Sequence, residues 1–216
     1  MQADAGGDVV ETQDGTGRRR LPKEERRRQL LDTALSIVRH EGADRLTLGH
    51  LAARAGVSKP VAYDHFGTRP GLLVALYRML DLEQSRAVHD ALASGEGGFE
   101  DVTEVLAEAY VRCSVDTGGE YHAVRAALAG NEEMDAVHQE LLAAQVQFFC
   151  ATFAQYSALA PAELERRCVG LVGAGEALSE AMVRGQCSAA EASATFAALM
   201  RGGLAPAAEQ ASAGRG

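Results

Sequence analysis

Residues 46–66 read LTLGHLAARAGVSKPVAYDHF and contain two short helical patterns separated by a glycine. Thr47 is a good N-cap for the first pattern, in which four apolar residues share one face. Those four residues are Leu48, Leu51, Ala52 and Ala55. Gly56 interrupts the pattern, and Ser58 offers a second N-cap for a helix over 59–65. A short supporting helix, a glycine-containing turn and a second helix small enough for a major groove predict a helix-turn-helix.

Two further helices flank this motif. Before it, Pro22 suits a first helical turn, and five apolar residues then recur at three- and four-residue spacing as far as Gly42. These are Leu30, Leu31, Ala34, Leu35 and Val38. After the motif, Thr68 can cap a fourth helix that has Pro70 in its first turn and runs toward a break at 94–98. The first helix is expected to have a basic outer face.

The rest of the chain predicts more helices and no strand. The helical stretches are 99–116, 121–129, 132–156, 162–184 and 189–200. The composition agrees, since 40 alanines against 11 aromatic residues favour packed helices over sheet. We therefore predict an all-α fold, with an N-terminal three-helix helix-turn-helix domain over 21–67 and a larger C-terminal helical domain over 68–204. Residues 1–20 are expected to form a disordered acidic tail with a basic arm, and 205–216 a flexible tail.

The net charge of −9 argues at first against a polyanionic partner, but the charge is unevenly distributed. Residues 1–17 carry −4, residues 18–78 carry +7, and residues 79–216 carry −12. The positive segment contains the helix-turn-helix. This asymmetry indicates a nucleic-acid-binding module joined to an acidic body, although a solvated charged helix would give the same local pattern.

Several protein classes are excluded or disfavoured. A chain of 216 residues can bury a substantial core, which excludes a miniprotein held together by disulfides. The uncharged run 141–162 is long enough to cross a bilayer, but polar residues interrupt it, so we interpret it as a buried helix. The N-terminus has no apolar secretory segment, and a cytoplasmic protein is predicted. The four cysteines lie at least 18 residues apart and are expected in the core, with a redox sensor as the alternative.

The motif residues also carry a family resemblance. The sequence resembles the N-terminal DNA-binding domain of the tetracycline-repressor (TetR/AcrR) family over about 60 residues, from Lys23 to roughly Leu82. The resemblance rests on Thr47, Leu51, Ala52, Ala55, Gly56, Val57, Ser58, Tyr63, His65, Phe66 and Leu72. It implies that the C-terminal domain binds a small-molecule effector and forms a dimer. The acidic C-terminal half matches the family only in its length and its all-helical layout.

The candidate DNA-binding residues lie mainly on the second helix of the motif. They are Thr47, Ser58, Lys59, Pro60, Val61, Ala62, Tyr63, His65 and Arg69. Backbone amides and hydroxyls at Thr47 and Ser58 can cap a helix or contact phosphate, and Lys59 can contact a phosphate or a guanine edge. The resemblance implies that Tyr63 and His65 donate to phosphate oxygens, and that Arg69 stands where the family usually has a phosphate-binding lysine.

The apolar members of this group, Pro60, Val61 and Ala62, can touch thymine methyl groups. The arginines at 18–20 can form an arm onto the DNA or simply a solvated run. Three residues depart from the family pattern. Gly49 provides no side chain for base reading, Gly71 weakens the first turn of the fourth helix, and Asp64 either accepts from a cytosine amino group or bonds to a nearby Lys or Arg.

Two sets of C-terminal residues carry the remaining hypotheses. A stripe of small side chains and one aromatic residue are candidates for the dimer interface, or for close packing inside one subunit: Gly170, Ala174, Ala177, Ala181 and Phe196. Aromatic residues concentrated between 110 and 156, with orienting polar groups, are candidates for the effector pocket, or for ordinary core: Tyr110, Tyr121, His138, Gln145, Phe149, Phe153 and Glu176.

The sequence as a whole predicts a ligand-responsive, homodimeric transcriptional regulator. By the family's mechanism it is a repressor that a small-molecule effector releases from a palindromic double-stranded DNA operator. The alternative is a helical small-molecule-binding or adaptor protein without operator binding. An enzyme is not expected because no catalytic motif occurs, and no cofactor, metal or membrane partner is predicted.

Overall fold

A computed structural model describes residues 21–93, 97–117 and 119–204. Within these ranges the chain folds into α helices connected by short turns, with no strand, which confirms the all-α prediction. The helices are α1 (Lys23–Glu41), α2 (Leu48–Ala55), α3 (Lys59–Phe66), α4 (Arg69–Ala93), α5 (Phe99–Asp116), α6 (Glu120–Ala126), α7 (Glu132–Phe153), α8 (Pro161–Val183) and α9 (Ala189–Leu204). The predicted tails at 1–20 and 205–216 lie outside the described residues.

The helix ends follow from local chemistry. The Thr47 hydroxyl accepts the backbone N–H of His50 at 3.1 Å and caps α2. Gly56 ends α2 in the left-handed conformation at φ +64°, which favours glycine because it has no Cβ. The Thr68 hydroxyl accepts the N–H of Gly71 at 3.1 Å at the start of α4. These contacts fix the sharp turns that place α2, α3 and α4 around one another.

A first hydrophobic core joins the helix-turn-helix to the start of α4. Its completely buried side chains include Leu30, Ile37, Leu51, Leu72 and Leu76. Each such side chain contributes roughly 1.5–3 kcal/mol when it leaves water. The same core continues into α6 and α7 through Tyr121, Val124, Met134 and Val137. Packing is therefore continuous across residue 67, and α4 belongs to both parts of the molecule.

A second core lies among α5, α7, α8 and α9. Phe149, Phe153, Cys168, Phe196 and Met200 are each at most 2% exposed there. The rings of Phe149 and Phe196 lie 6.3 Å apart. All four cysteines are unpaired; Cys113 and Cys168 are buried, and Cys150 and Cys187 are half-buried.

Gly71 is tightly packed and Gly49 has space for a side chain, so alanine substitutions at the two positions should change stability in opposite directions. A Cβ at Gly71 would overlap the carbonyl oxygen of Phe66, so α3 must end close to α4. A Cβ at Gly49 would meet only the Lys59 Cε, at an ordinary 3.7 Å. We expect Gly71→Ala to lower the free energy of unfolding by about 1–3 kcal/mol, because the backbone must shift.

We expect Gly49→Ala to raise the same free energy by about 0.5–1 kcal/mol, because alanine loses less conformational entropy in a helix. Urea denaturation followed by circular dichroism measures both changes. Equal shifts for the two variants would contradict the close approach of the Phe66 carbonyl to α4.

Candidate nucleic-acid interface and effector pocket

The exposed side of α3 presents a compact set of donors and apolar groups. Lys59, Pro60 and Tyr63 are exposed, Tyr63 to 53%, and Val61 is half-buried. Ser58 precedes α3 without using its hydroxyl as a cap, so this hydroxyl remains available beside the first-turn amides. A helix start with free N–H groups, a hydroxyl and a lysine is suited to binding phosphate.

Ala62 does not belong to this surface. Its side chain is completely buried in the first core, so the expected contact between Ala62 and a thymine methyl group is wrong. The sequence placed it beside Pro60 and Val61, but a helix turns about 100° per residue, and position 62 faces inward.

The side chains of His65 and Arg69 are both half-buried. Burial lowers the pKa of the His65 imidazole below its ordinary value, so the ring is neutral at pH 7 and has one N–H to donate. The Arg69 guanidinium donates from Nε to the Leu46 carbonyl at 2.8 Å and from Nη2 to the Ala43 carbonyl at 2.9 Å. Arg69 thus ties the start of α4 to the turn before α2, and its expected phosphate contact stays a prediction.

A groove of about 660 Å³ lies between α1 and α3, lined by residues that include Lys23, Arg26, Ser58, Asp64 and His65. Two cations of α1 therefore stand beside the exposed face of α3. Lys23 and Arg26 were not among the predicted DNA-binding residues, although the sequence predicted a basic outer face for α1. The arginines at 18–20 lie outside the described residues.

The largely apolar pocket of the C-terminal domain lies between α4, α5 and α7. It has a volume of about 510 Å³, within the usual range for small-molecule sites. Three of the predicted effector residues line it: Tyr110, Gln145 and Phe149. Asp81 and His89 of α4 also line it and were missed, because their positions among the apolar residues of α4 do not identify which surface they share with α7.

The other predicted effector residues lie elsewhere. Phe153 is completely buried in the second core and is not among the residues that line this pocket. Tyr121, His138 and Glu176 belong to a separate polar cluster around the Tyr77 hydroxyl, which lies 2.5 Å from the Tyr121 hydroxyl and 2.9 Å from His138 Nδ1. Burial raises the pKa of Tyr77 to about 12 and also raises the pKa of Tyr121. Both hydroxyl groups therefore stay protonated at pH 7.

The small-residue stripe lies at the surface of α8. Gly170 and Ala177 are exposed, and Ala174 and Ala181 are half-buried. Val169 on the same helix is 56% exposed, which is high for a large apolar side chain. Phe196 differs, because it is completely buried against Tyr110 and Phe149 within one chain, and the prediction that it contacts a second copy is wrong.

The described ranges form neither a metal-binding cluster nor a membrane-spanning helix. No group of three or more His, Cys, Asp or Glu side chains within them is arranged to hold a metal ion. None of the helices formed by these residues combines the length and the apolar character needed to cross a membrane.

Comparison with known proteins identifies the N-terminal region. Residues 30–76 match the family model for bacterial regulatory proteins of the tetR family. The HTH-type transcriptional activator FasR of Mycolicibacterium smegmatis is 44% identical over 57 residues, which cover 26% of either protein. The HTH-type transcriptional regulator BetI of Brucella suis is 30% identical over 82 residues, which cover 38% of this chain and 41% of BetI.

The similarity to these curated relatives therefore spans less than half of their length. The similarity in fold extends over more of the chain. A TetR-like transcriptional regulator from Rhodococcus sp. RHA1 superposes with a TM-score of 0.63, over 85% of this chain and 98% of that chain, at 22% sequence identity. The helix-turn-helix of this chain matches the tetR family of bacterial regulatory proteins, and the superposed 85% of the chain shares the fold of a TetR-like regulator.

Proposed function

We propose that this protein is a homodimeric transcriptional regulator that binds a palindromic operator through α3 and responds to a small molecule bound between α4, α5 and α7. The observation that carries the proposal is the double role of α4. Its first turns pack in the core of the helix-turn-helix, through Leu72 and Leu76, while Asp81 and His89 line the pocket.

The contacts of α4 with the helix-turn-helix and with the pocket indicate how a bound ligand would affect DNA binding. Arg69, at the start of α4, holds the carbonyls of Ala43 and Leu46 just before α2. A ligand that shifts α4 therefore moves the helix-turn-helix with it. In a dimer this changes the distance between the two α3 helices, and only one distance fits two half-sites one DNA turn apart.

The dimer would form through the exposed small-residue stripe of α8. Gly170 and Ala177 lack bulky side chains, so a second helix can approach the backbone closely, and the neighbouring Val169 would leave water on contact. A two-fold dimer presents two copies of α3, as a palindromic operator requires.

We further propose that the unliganded dimer represses transcription and that effector binding releases it. The relative FasR is named an activator, so the direction of regulation needs its own measurement. Selecting bound sequences from random DNA gives the operator, and a reporter gene under that operator gives the sign of regulation.

Selected sequences are expected to be palindromic, and affinity should fall steeply with salt because lysine and arginine contacts release counterions from DNA. Reporter output should rise when the gene for this protein is deleted. Binding without sequence preference would contradict the proposal and favour a ligand-binding or adaptor protein instead.

A further inference from the structure

The pocket between α4, α5 and α7 contains a buried carboxyl group, that of Asp81, with an oxygen that accepts no hydrogen bond from the described residues. Asp81 is only 9% exposed and lines the pocket, and its Oδ1 atom has no hydrogen-bond partner among the described residues. A buried carboxylate normally has hydrogen bonds or an ion pair, because leaving water unpaired is costly. The Oδ1 atom of Asp81 is therefore free to accept a hydrogen bond or to pair with a positive charge inside the pocket.

Arg78, whose positive charge acts on Asp81, does not fulfil this role. Arg78 lies one turn before Asp81 on α4, but both of its terminal nitrogens donate to the Glu140 carboxylate, at 3.0 and 2.7 Å. Its attraction lowers the pKa of Asp81 less than burial raises it, so the net pKa lies above the ordinary value. No lysine or arginine is among the residues that line this pocket in the described part of the chain.

The other titratable groups of the pocket do not pair with Asp81 either. The His89 Nδ1 atom donates to the Ser85 carbonyl at 2.6 Å, within its own helix. Tyr110 and Cys113 enter from α5; burial raises the pKa of both, so they stay neutral at pH 7. The remaining polar residue with an unsatisfied atom is Gln145 of α7, whose buried Oε1 is another acceptor.

The pocket walls are suited to an apolar body that carries a positive charge. Tyr110, Phe148 and Phe149 line it, and the His89 ring lies over Phe148 with ring centroids 4.1 Å apart. Aromatic faces attract cations through their quadrupole, and the attraction grows when water is excluded. Free acceptors and aromatic faces both favour a cation and disfavour an anion.

We propose that this pocket binds an organic cation, such as an amine or quaternary ammonium compound with an aromatic or apolar body, whose charge pairs with the Asp81 carboxylate. The inference rests on the proposed function, in which this pocket is the effector site, and it adds the chemical class of the effector.

Three probes of similar size and different charge test the proposal on the full-length protein. Phenyltrimethylammonium is a cation, tert-butylbenzene is its neutral counterpart of the same shape, and benzenesulfonate is an anion. Isothermal titration calorimetry should show that the wild-type protein binds the cation at least about tenfold more tightly than the neutral probe. Benzenesulfonate should bind more weakly still. This comparison requires no variant.

Asp81→Asn keeps the shape of the side chain and removes its charge, so the preference for the cation over the neutral probe should fall sharply, to the part that the aromatic walls supply. Asp90→Asn is the matched control, because Asp90 is an exposed carboxylate on the same helix outside the pocket. It should leave the preference for the cation unchanged. Equal wild-type affinity for the cation and the neutral probe, or an unchanged preference in Asp81→Asn, would overturn the proposal.

Operator binding is measured on the same samples by fluorescence anisotropy, without probe. Its absence in the wild type would contradict the proposed function, whereas the calorimetry reports on the charge preference of the pocket independently. If the operator is bound and the cation is not preferred, the inference about the effector is wrong and the proposed regulator stands.

Discussion

Replacing Lys59 and Tyr63 together with alanine should lower operator affinity about a hundredfold. Both side chains are exposed on α3, Tyr63 to 53%, and neither contributes to the first core, so the fold should be unaffected. A single base or phosphate contact is worth about 1–3 kcal/mol, and losing two such contacts gives an effect of this size.

Fluorescence anisotropy on the selected operator, at several salt concentrations, measures this loss. Lys59→Ala alone should also reduce the salt dependence by about one released counterion per copy of α3, which is about two for the dimer, if the lysine contacts a phosphate. Arg112→Ala is the matched control, because it removes one positive charge from an exposed position on α5. Unchanged affinity in the double variant, with normal binding by the control, would contradict the assignment of α3 as the recognition helix.

The helices of this protein are predictable from sequence because their signals are local. Thr47 caps α2 with its own side chain, and Gly56 supplies the left-handed residue that ends it. The apolar spacing in α1 gives its buried face directly. Where prediction and structure differ, the difference is small: α7 ends at Phe153 rather than Tyr156, and α6 ends at Ala126 rather than at residue 129.

The sequence-based predictions that were wrong concern which face of a helix packs against a neighbouring helix. Ala62 and Phe196 were assigned to surfaces by residue type, yet both are buried, since the positions of α4 and α5 decide what they contact. Asp81 and Gln145 lie 64 positions apart in sequence and share a pocket only because α4 and α7 pack together. Arg69 reaches two carbonyls more than 20 residues away, a contact that spacing within one helix cannot indicate.

Substitutions of Phe196 on α9 and Ala177 on α8 should have different effects, because Phe196 lies in the core and Ala177 in the proposed dimer interface. Phe196 of α9 is completely buried, with its ring 5.2 Å from that of Tyr110. Phe196→Ala leaves a cavity, so the free energy of unfolding should fall by about 3–5 kcal/mol. Because the lost contacts lie within one chain, this destabilisation should appear as a lower urea midpoint at every protein concentration.

Ala177→Arg should leave the fold of one protomer intact and prevent the dimer from forming. Ala177 is exposed on α8, so an arginine there is accommodated in a single protomer but obstructs the close approach of a second helix. We expect sedimentation velocity to show a folded monomer where the wild type is a dimer. Ala136→Arg, at an exposed position on α7, is the matched control and should remain dimeric.

The loss of the dimer should carry over to DNA binding. Two linked copies of α3 bind two half-sites with an avidity about 10²–10⁴ times that of one copy, so Ala177→Arg should bind the palindrome about as weakly as a single half-site. Its affinity for an isolated half-site should match that of the wild type, because α3 itself is unchanged. A dimeric Ala177→Arg variant would contradict the α8 interface, even if its α3 surface bound DNA normally.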